Sequence, residues 1–121
     1  MKFTGVYCVV VGILMLAQWA FFIIAGQVPE LKTEPIGIAF HLAAEAITAL
    51  GLIFAGFGLL NKKVWAQNAA RIMLGMLIYT VIVSPGYFAQ QGAWYLVVMF
   101  ALLLILAIIS LIQLARSAAR P

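Results

Sequence analysis

Long apolar runs separated by short polar breaks dominate the chain. Four runs of mainly hydrophobic residues occupy residues 6–25, 36–60, 72–88 and 93–115. A helix needs about 20 apolar residues to cross a bilayer, with a range of about 17–25, and each run meets that requirement. Membrane β-strands would alternate polar and apolar positions over about 10 residues, whereas these runs are continuous. The pattern predicts an all-α polytopic membrane protein, a four-helix bundle forming one domain over residues 1–121.

The breaks between the runs contain residues that favour turns. GQVPELKTEP (26–35) has two prolines, and NKKVWAQNAAR (61–71) is polar and basic. VIVSPGYFAQQG (81–92) places Pro85 and Gly86 near the end of the third run. Because proline lacks an amide donor, we expect the third helix to end or kink here. We interpret the residues that follow as a plain connector with interfacial anchors rather than as a lid.

Composition agrees with a membrane protein. Hydrophobic residues make up 67% of the chain and charged residues 8%, against about 25% charged residues in a typical soluble domain. The first run is longer than the apolar region of a signal peptide, about 7–15 residues, so we expect a retained helix. Cys8 is the single cysteine, which excludes an internal disulfide, and we expect it to be a small buried hydrophobic residue.

The positions of lysine and arginine predict the orientation in the membrane. Of the seven basic residues, only Lys32 lies on one side of the predicted membrane, where the acidic residues Glu30 and Glu34 balance its charge. The others flank the opposite ends of the runs: Lys2, Lys62, Lys63, Arg71, Arg116 and Arg120. By the positive-inside rule both termini are predicted to be cytoplasmic. We expect a multi-pass protein of the cell membrane, and specifically of a prokaryotic inner membrane. The basic residues form no dense patch, so we expect membrane lipids and no nucleic acid as partners.

One ionisable pair lies inside the second run. AFHLAAEAITALG (39–51) places His41 and Glu45 four residues apart, on the same helical face as Thr48. Alanines and a glycine lie beside them, and bulky residues such as Ile47 and Phe54 project the opposite way. Small residues mark close helix packing in membranes, so we expect the face with His41 and Glu45 to point into the bundle.

Polar groups of two other runs are predicted at the same depth as Glu45. Gln18 in the first run and Tyr79 in the third lie about as far from the outer ends of their helices. The candidate ligand-binding or proton-binding residues are therefore His41, Glu45, Gln18, Tyr79 and Thr48. Ionisable residues within spans usually serve a function. The alternative is structural, with a protonated Glu45 that hydrogen-bonds Gln18 or Tyr79 and holds the helices together.

Other chemistry has little support in the sequence. The chain has no aspartate that could complete a serine triad, and it lacks a glycine-rich phosphate loop, so we favour a non-enzymatic role. One histidine and one carboxylate are too few ligands for a zinc ion, although a homodimer could supply two of each. We predict neither a metal nor a cofactor.

The stretch AEAITALGLIFAGFGLLNKKVW (44–65) combines a small-residue span, an early glutamate and a basic turn. In these features it resembles the corresponding part of the DoxX-like small four-helix membrane proteins. The chain length and the four predicted spans fit the same family. The resemblance implies a compact four-helix bundle, in a family sometimes linked to redox or quinone chemistry, and it transfers no catalytic residue.

Three functions remain open. The first is binding of a hydrophobic molecule of the lipid or quinone type in a cavity of the outer half, with His41 and Glu45 at its polar end. The second is a dimeric proton-coupled small transporter that uses Glu45 as the proton carrier. The third is an accessory subunit of a larger membrane complex. We favour the first, because ligand sites between bundle helices are apolar with a few convergent polar groups.

The predicted orientation can be tested by accessibility. A tag after Arg120 should be reachable only from the cytoplasm, and Thr33→Cys should react with an impermeant thiol reagent from outside, because basic residues stay on the cytoplasmic side. Labelling of Thr33→Cys only in permeabilised cells would show the opposite orientation.

Overall fold

The structure is a computed structural model. It describes residues 2–26 and 28–119, except for the side chains of Tyr87 and of residues 117–119. This part of the chain contains helices and no strand. The helices are α1 (Lys2–Ile24), α2 (Glu30–Thr33), α3 (Pro35–Leu60), α4 (Ala66–Gln90) and α5 (Trp94–Ala119). Four of these, α1, α3, α4 and α5, are long and apolar enough to span a membrane. The predicted all-α class and the four long apolar helices are confirmed.

The helix α4 differs most from its predicted range, 72–88. It begins at Ala66, because the polar residues that interrupt the apolar run continue the helix: Arg71 donates to the Asn68 side chain at 2.8 Å. Arg71 also donates to the Leu114 carbonyl of α5 at 3.3 Å. At the other end α4 continues through Pro85 to Gln90, so of the two expected alternatives, an end or a kink at the proline, the end is wrong. A proline removes one amide donor, and the flanking helical hydrogen bonds keep the helix continuous.

The connections define two ends of the bundle. The linker end carries the α1–α3 connection, which includes the unpredicted short helix α2, and the α4–α5 turn. The terminal end carries the first residues of α1, the last residues of α5 and the α3–α4 turn. At the α4–α5 turn Gly92 has φ 77°, which glycine adopts without strain, and the Ala93 amide donates back to the Phe88 carbonyl at 2.9 Å.

The long helices pack in the order α1, α3, α4, α5, and α1 meets α5 only weakly. Two hydrogen bonds join α1 to α5. Thr4 Oγ1 donates to Gln113 Oε1 at 2.9 Å near the terminal end, and the Tyr7 hydroxyl donates to the Leu103 carbonyl at 2.6 Å. Both donors belong to the first two turns of α1. The two helices are therefore tied together in the terminal half of the bundle and are not joined in this way in the linker half.

Glycines bring the backbones of α1 and α3 into close contact. A Cβ atom added at Gly56 would lie 2.7 Å from the Gly5 carbonyl oxygen, and one added at Gly12 would lie 2.6 Å from the Ala49 carbonyl oxygen. Real Cβ atoms do not approach backbone oxygen so closely. The close approach of these two helices therefore depends on glycine at both positions, as in other small-residue helix contacts.

The predicted division of the second run into two faces agrees with the structure of α3. Thr48, Leu52 and Ala55 are buried, and bulky residues of the opposite face are exposed. Those exposed residues include Ile47, Leu50, Phe54 and Phe57. Cys8 is completely buried in the core, which confirms the expectation of a small buried residue.

The glycine contact leads to a stability prediction. Gly56→Ala should lower the melting temperature in detergent, because the added methyl group pushes α1 away from α3, at a cost of about 1–3 kcal/mol. Gly75→Ala is the matched control: Gly75 is helical and has no atom within 4 Å of its added Cβ, so it should be neutral or slightly stabilising. Equal melting temperatures for the two variants would contradict the proposed role of the contact.

Candidate functional site

A cavity of about 850 Å³ occupies the linker half of the bundle. It forms where α1 and α5 are no longer tied together. Its walls come from α1, α3, α4, α5 and the linker around Val28. Most lining residues are apolar, among them Val11, Met15, Leu77 and Leu103. Leu14 and Phe21 of α1 also line it and are more than half exposed, so the cavity opens sideways along α1.

Glu45 provides the carboxyl group of the cavity wall. One carboxylate oxygen, Oε2, accepts a hydrogen bond from the Trp19 indole Nε1 at 3.4 Å. The other oxygen, Oε1, accepts a short hydrogen bond from the Thr80 hydroxyl. Trp19 belongs to α1 and Thr80 to α4, so the carboxyl group of α3 connects three helices. Its side chain is only 11% exposed, and two donors satisfy it in these surroundings.

His41 lies one helical turn from Glu45, as predicted from the spacing. Its Nε2 is 4.0 Å from Glu45 Oε1, which is within ion-pair range and longer than a hydrogen bond. The imidazole is 44% exposed, and its ring lies edge-on to the Trp19 ring with a centroid distance of 5.5 Å. The histidine therefore lies next to the carboxyl group without occupying either of its hydrogen bonds.

The expected hydrogen-bond partners of Glu45, Gln18 and Tyr79, are wrong. The partners are Trp19 and Thr80, each one residue further along its helix. Since one residue turns an α-helix by about 100°, depth alone does not decide which neighbouring side chain faces the carboxyl group. The small hydroxyl of Thr80 in an apolar run is the signal that could have identified it. Its hydroxyl also lies 3.1 Å from that of Ser84, which extends the polar wall.

The other predicted site residues lie around this group with different roles. Gln18 lines the large cavity together with His41 and Glu45. Tyr79 is 71% exposed and borders a smaller groove of about 220 Å³ between α3 and α4. Thr48 also borders this groove, but its hydroxyl donates to the Ala44 carbonyl of its own helix at 2.8 Å. A ligand role for these residues stays a prediction.

The polar residues separate the two cavities. His41, Glu45 and Thr80 line both the large cavity and the smaller groove. The carboxyl group of Glu45 is therefore part of a thin polar wall between a cavity on the side of α1 and a groove on the outer side of α3 and α4.

A chain of aromatic rings follows the large cavity from the polar wall to α5. It runs from His41 through Trp19, Phe22 and Phe88 to Phe100, and all five residues line the cavity. Successive ring centroids are 5.5, 6.3, 6.0 and 5.8 Å apart. We call these five residues the aromatic chain. Spacings of this size are typical of interacting aromatic pairs, so the rings form one continuous surface across four helices.

The arrangement can hold a mainly apolar molecule with one polar group. The carboxyl group of Glu45, the imidazole and two hydroxyls meet at one wall, and the remaining walls are mainly apolar or aromatic, with Gln18, Glu30 and Gln91 as further polar lining residues. Within residues 2–26 and 28–119, no group of three or more histidine, cysteine, aspartate or glutamate side chains is placed to hold a metal ion.

Comparison with known proteins places the chain in one family. A family model described as Domain of unknown function (DUF8058) matches residues 1–120. No curated protein and no solved structure matches the chain. The comparisons give no link to DoxX-like proteins, so that resemblance stays a prediction. Because the match spans nearly the whole chain, the protein belongs to the DUF8058 family.

Proposed function

We propose that the protein spans a prokaryotic inner membrane four times, with its terminal end in the cytoplasm. The four long apolar helices and the asymmetry of basic residues support this placement. The described lysines and arginines of the terminal end are Lys2, Lys62, Lys63, Arg71 and Arg116. The large cavity then lies in the outer half of the bilayer, and its side opening along α1 faces lipid.

Within that membrane, the protein binds a hydrophobic small molecule of the lipid or quinone type. The observation that carries this proposal is the cavity itself: about 850 Å³, mainly apolar, with Glu45, His41 and the hydroxyls of Thr80 and Ser84 at one wall. Small-molecule sites have volumes of about 300–1,000 Å³ and the same division between apolar walls and a few polar groups.

The polar wall supports binding more than a purely structural role. A carboxyl group that only joined helices would be served by its two donors, Trp19 and Thr80, and would need no open space beside it. Here Glu45 and the neighbouring His41 both line the cavity as well. The two donors hold the carboxyl group in one position before any ligand arrives, which lowers the ordering cost of binding.

Filling the cavity should displace the ligand. Leu103→Trp adds a ring to a lining position of α5, so the purified variant should retain much less ligand than the parent protein. Leu102→Trp is the matched control, because Leu102 is 57% exposed and does not line the cavity. The measurement is mass spectrometry of organic extracts from gently purified protein. A single stoichiometric molecule in the parent and in Leu102→Trp supports binding; bulk lipid alone in the parent would favour an accessory subunit.

Variants of Glu45 should separate binding from stability. Glu45→Gln keeps the shape: its amide oxygen can accept from Trp19, and its amide nitrogen can donate to the Thr80 hydroxyl oxygen, so it should melt close to the parent but lose ligand. Glu45→Leu leaves the Trp19 indole N–H without its acceptor and Thr80 with only Ser84 as a side-chain partner, so it should also lower the melting temperature, at a cost of about 1–3 kcal/mol. If His41 acts with Glu45, His41→Gln should resemble Glu45→Gln, and the double variant should be little worse than either.

The measurements are thermal stability in detergent and ligand retention for each variant. Glu34→Gln serves as a control, because Glu34 lies outside the cavity. If Glu45→Gln equals the parent in both measurements, Glu45 only joins the helices and its role in binding is refuted.

A further inference from the structure

Two carboxyl groups line the large cavity, and none of the described lysines or arginines does. The chain has three acidic residues, and two of them, Glu45 and Glu30, line the cavity. Glu45 lies in the polar wall, and Glu30 belongs to α2 at the linker end. None of the lysines and arginines within the described ranges lines it. The histidine His41 also lines the cavity, and Lys32 lies two residues from Glu30 in α2. Inside a low-dielectric site, an ionised carboxyl group attracts a positive charge and disfavours a negative one more strongly than it would in water.

The aromatic chain adds a second attraction for a cation. An aromatic face attracts a positive group within about 6 Å of the ring centroid, and the attraction grows when water is excluded. Trp19, the ring type that binds cations best, donates to Glu45 and is also a member of the aromatic chain. A positive group next to the carboxylate would therefore also lie close to aromatic rings of the cavity wall.

The polar wall favours a cation over an anion. Trp19 and Thr80 already donate to Glu45. A quinone or another carbonyl compound would therefore take its hydrogen bonds from other lining side chains such as Gln18, His41 or Ser84. A fatty acid or a phosphate ester would place a second anion beside Glu45. His41 Nε2, at 4.0 Å from Glu45 Oε1, is within ion-pair range but makes no hydrogen bond to the carboxyl group. An ammonium group of a ligand could therefore make the direct contact with Glu45 that the imidazole does not make.

We propose that the ligand of this cavity is a cationic amphiphile, an apolar chain or ring system that carries a protonated amine or quaternary ammonium group. The ammonium group binds at the Glu45 carboxylate against the aromatic chain, and the apolar body fills the space towards Leu77 and Leu103. This inference rests on the proposed function and specifies the chemical class of its ligand.

Three probes with the same tail test the charge preference. Dodecyltrimethylammonium, dodecanol and dodecanoate are titrated into the full-length protein in nanodiscs of zwitterionic lipid, and native mass spectrometry counts the bound molecules. Empty nanodiscs correct for partition into lipid. The parent protein and the Glu34→Gln control should bind the ammonium probe about tenfold more tightly than dodecanol, and dodecanoate most weakly. Glu45→Gln should remove this preference and keep the binding of dodecanol.

Phe22→Leu provides a second variant that leaves the carboxylate and its donors in place. It should weaken binding of the ammonium probe several-fold and change dodecanol binding little, because it removes one ring of the aromatic chain. If Glu45→Gln proves unstable, the binding of the probes to Phe22→Leu still tests the charge preference.

The outcomes separate this inference from the proposed function. Equal binding of the three probes, or an ammonium preference that survives in both Glu45→Gln and Phe22→Leu, would overturn the cationic ligand and leave the binding function intact. No binding of any probe above the level of empty nanodiscs would overturn the proposed function as well. Loss of the ammonium preference in the two variants, with dodecanol still bound, supports both.

Discussion

The close backbone contact between α1 and α3 determines the shape of the bundle. In lipid the hydrophobic effect does not drive helices together, so tight van der Waals contact of the kind that Gly12 and Gly56 permit carries more of the association. Within the described residues, α1 packs closely on α3 and has few contacts with α5, among them the hydrogen bonds of Thr4 and Tyr7. The space left between α1 and α5 in the other half is the cavity.

Much of the fold follows from the length and composition of the apolar runs. In a hydrocarbon environment long apolar runs must form helices, and this constraint predicted the four long helices. The ends of the helices were less predictable. Polar residues mark where an apolar run stops, but helical hydrogen bonds can continue beyond that point. Residues 66–71 are polar and still helical, and α4 continues through Pro85 because only one hydrogen bond is lost there.

The site was only partly predictable for a related reason. The helical period placed His41 and Glu45 on one inward face, and counting residues brought the right turns of α1 and α4 to the level of Glu45. Counting residues did not give the rotation of α1 and α4 about their own axes. That rotation decides whether Gln18 or Trp19 is the neighbour of the carboxyl group. The cavity was less predictable still, because it depends on the angle between two helices that are far apart in sequence.

The side opening along α1, bordered by Leu14 and Phe21, changes what the cavity walls can contribute to recognition. In a bilayer, a ligand that enters there arrives by lateral diffusion, and its relevant concentration is its mole fraction in the membrane. Transfer from water gains about 0.8 kcal/mol per methylene, which concentrates each longer homologue in lipid by about fourfold. The ligand has this transfer free energy already when it is in the bilayer, before it contacts the protein. For the proposed ligand binding, the apolar walls would therefore discriminate little between chain lengths, and selectivity would depend on the few polar groups beside Glu45.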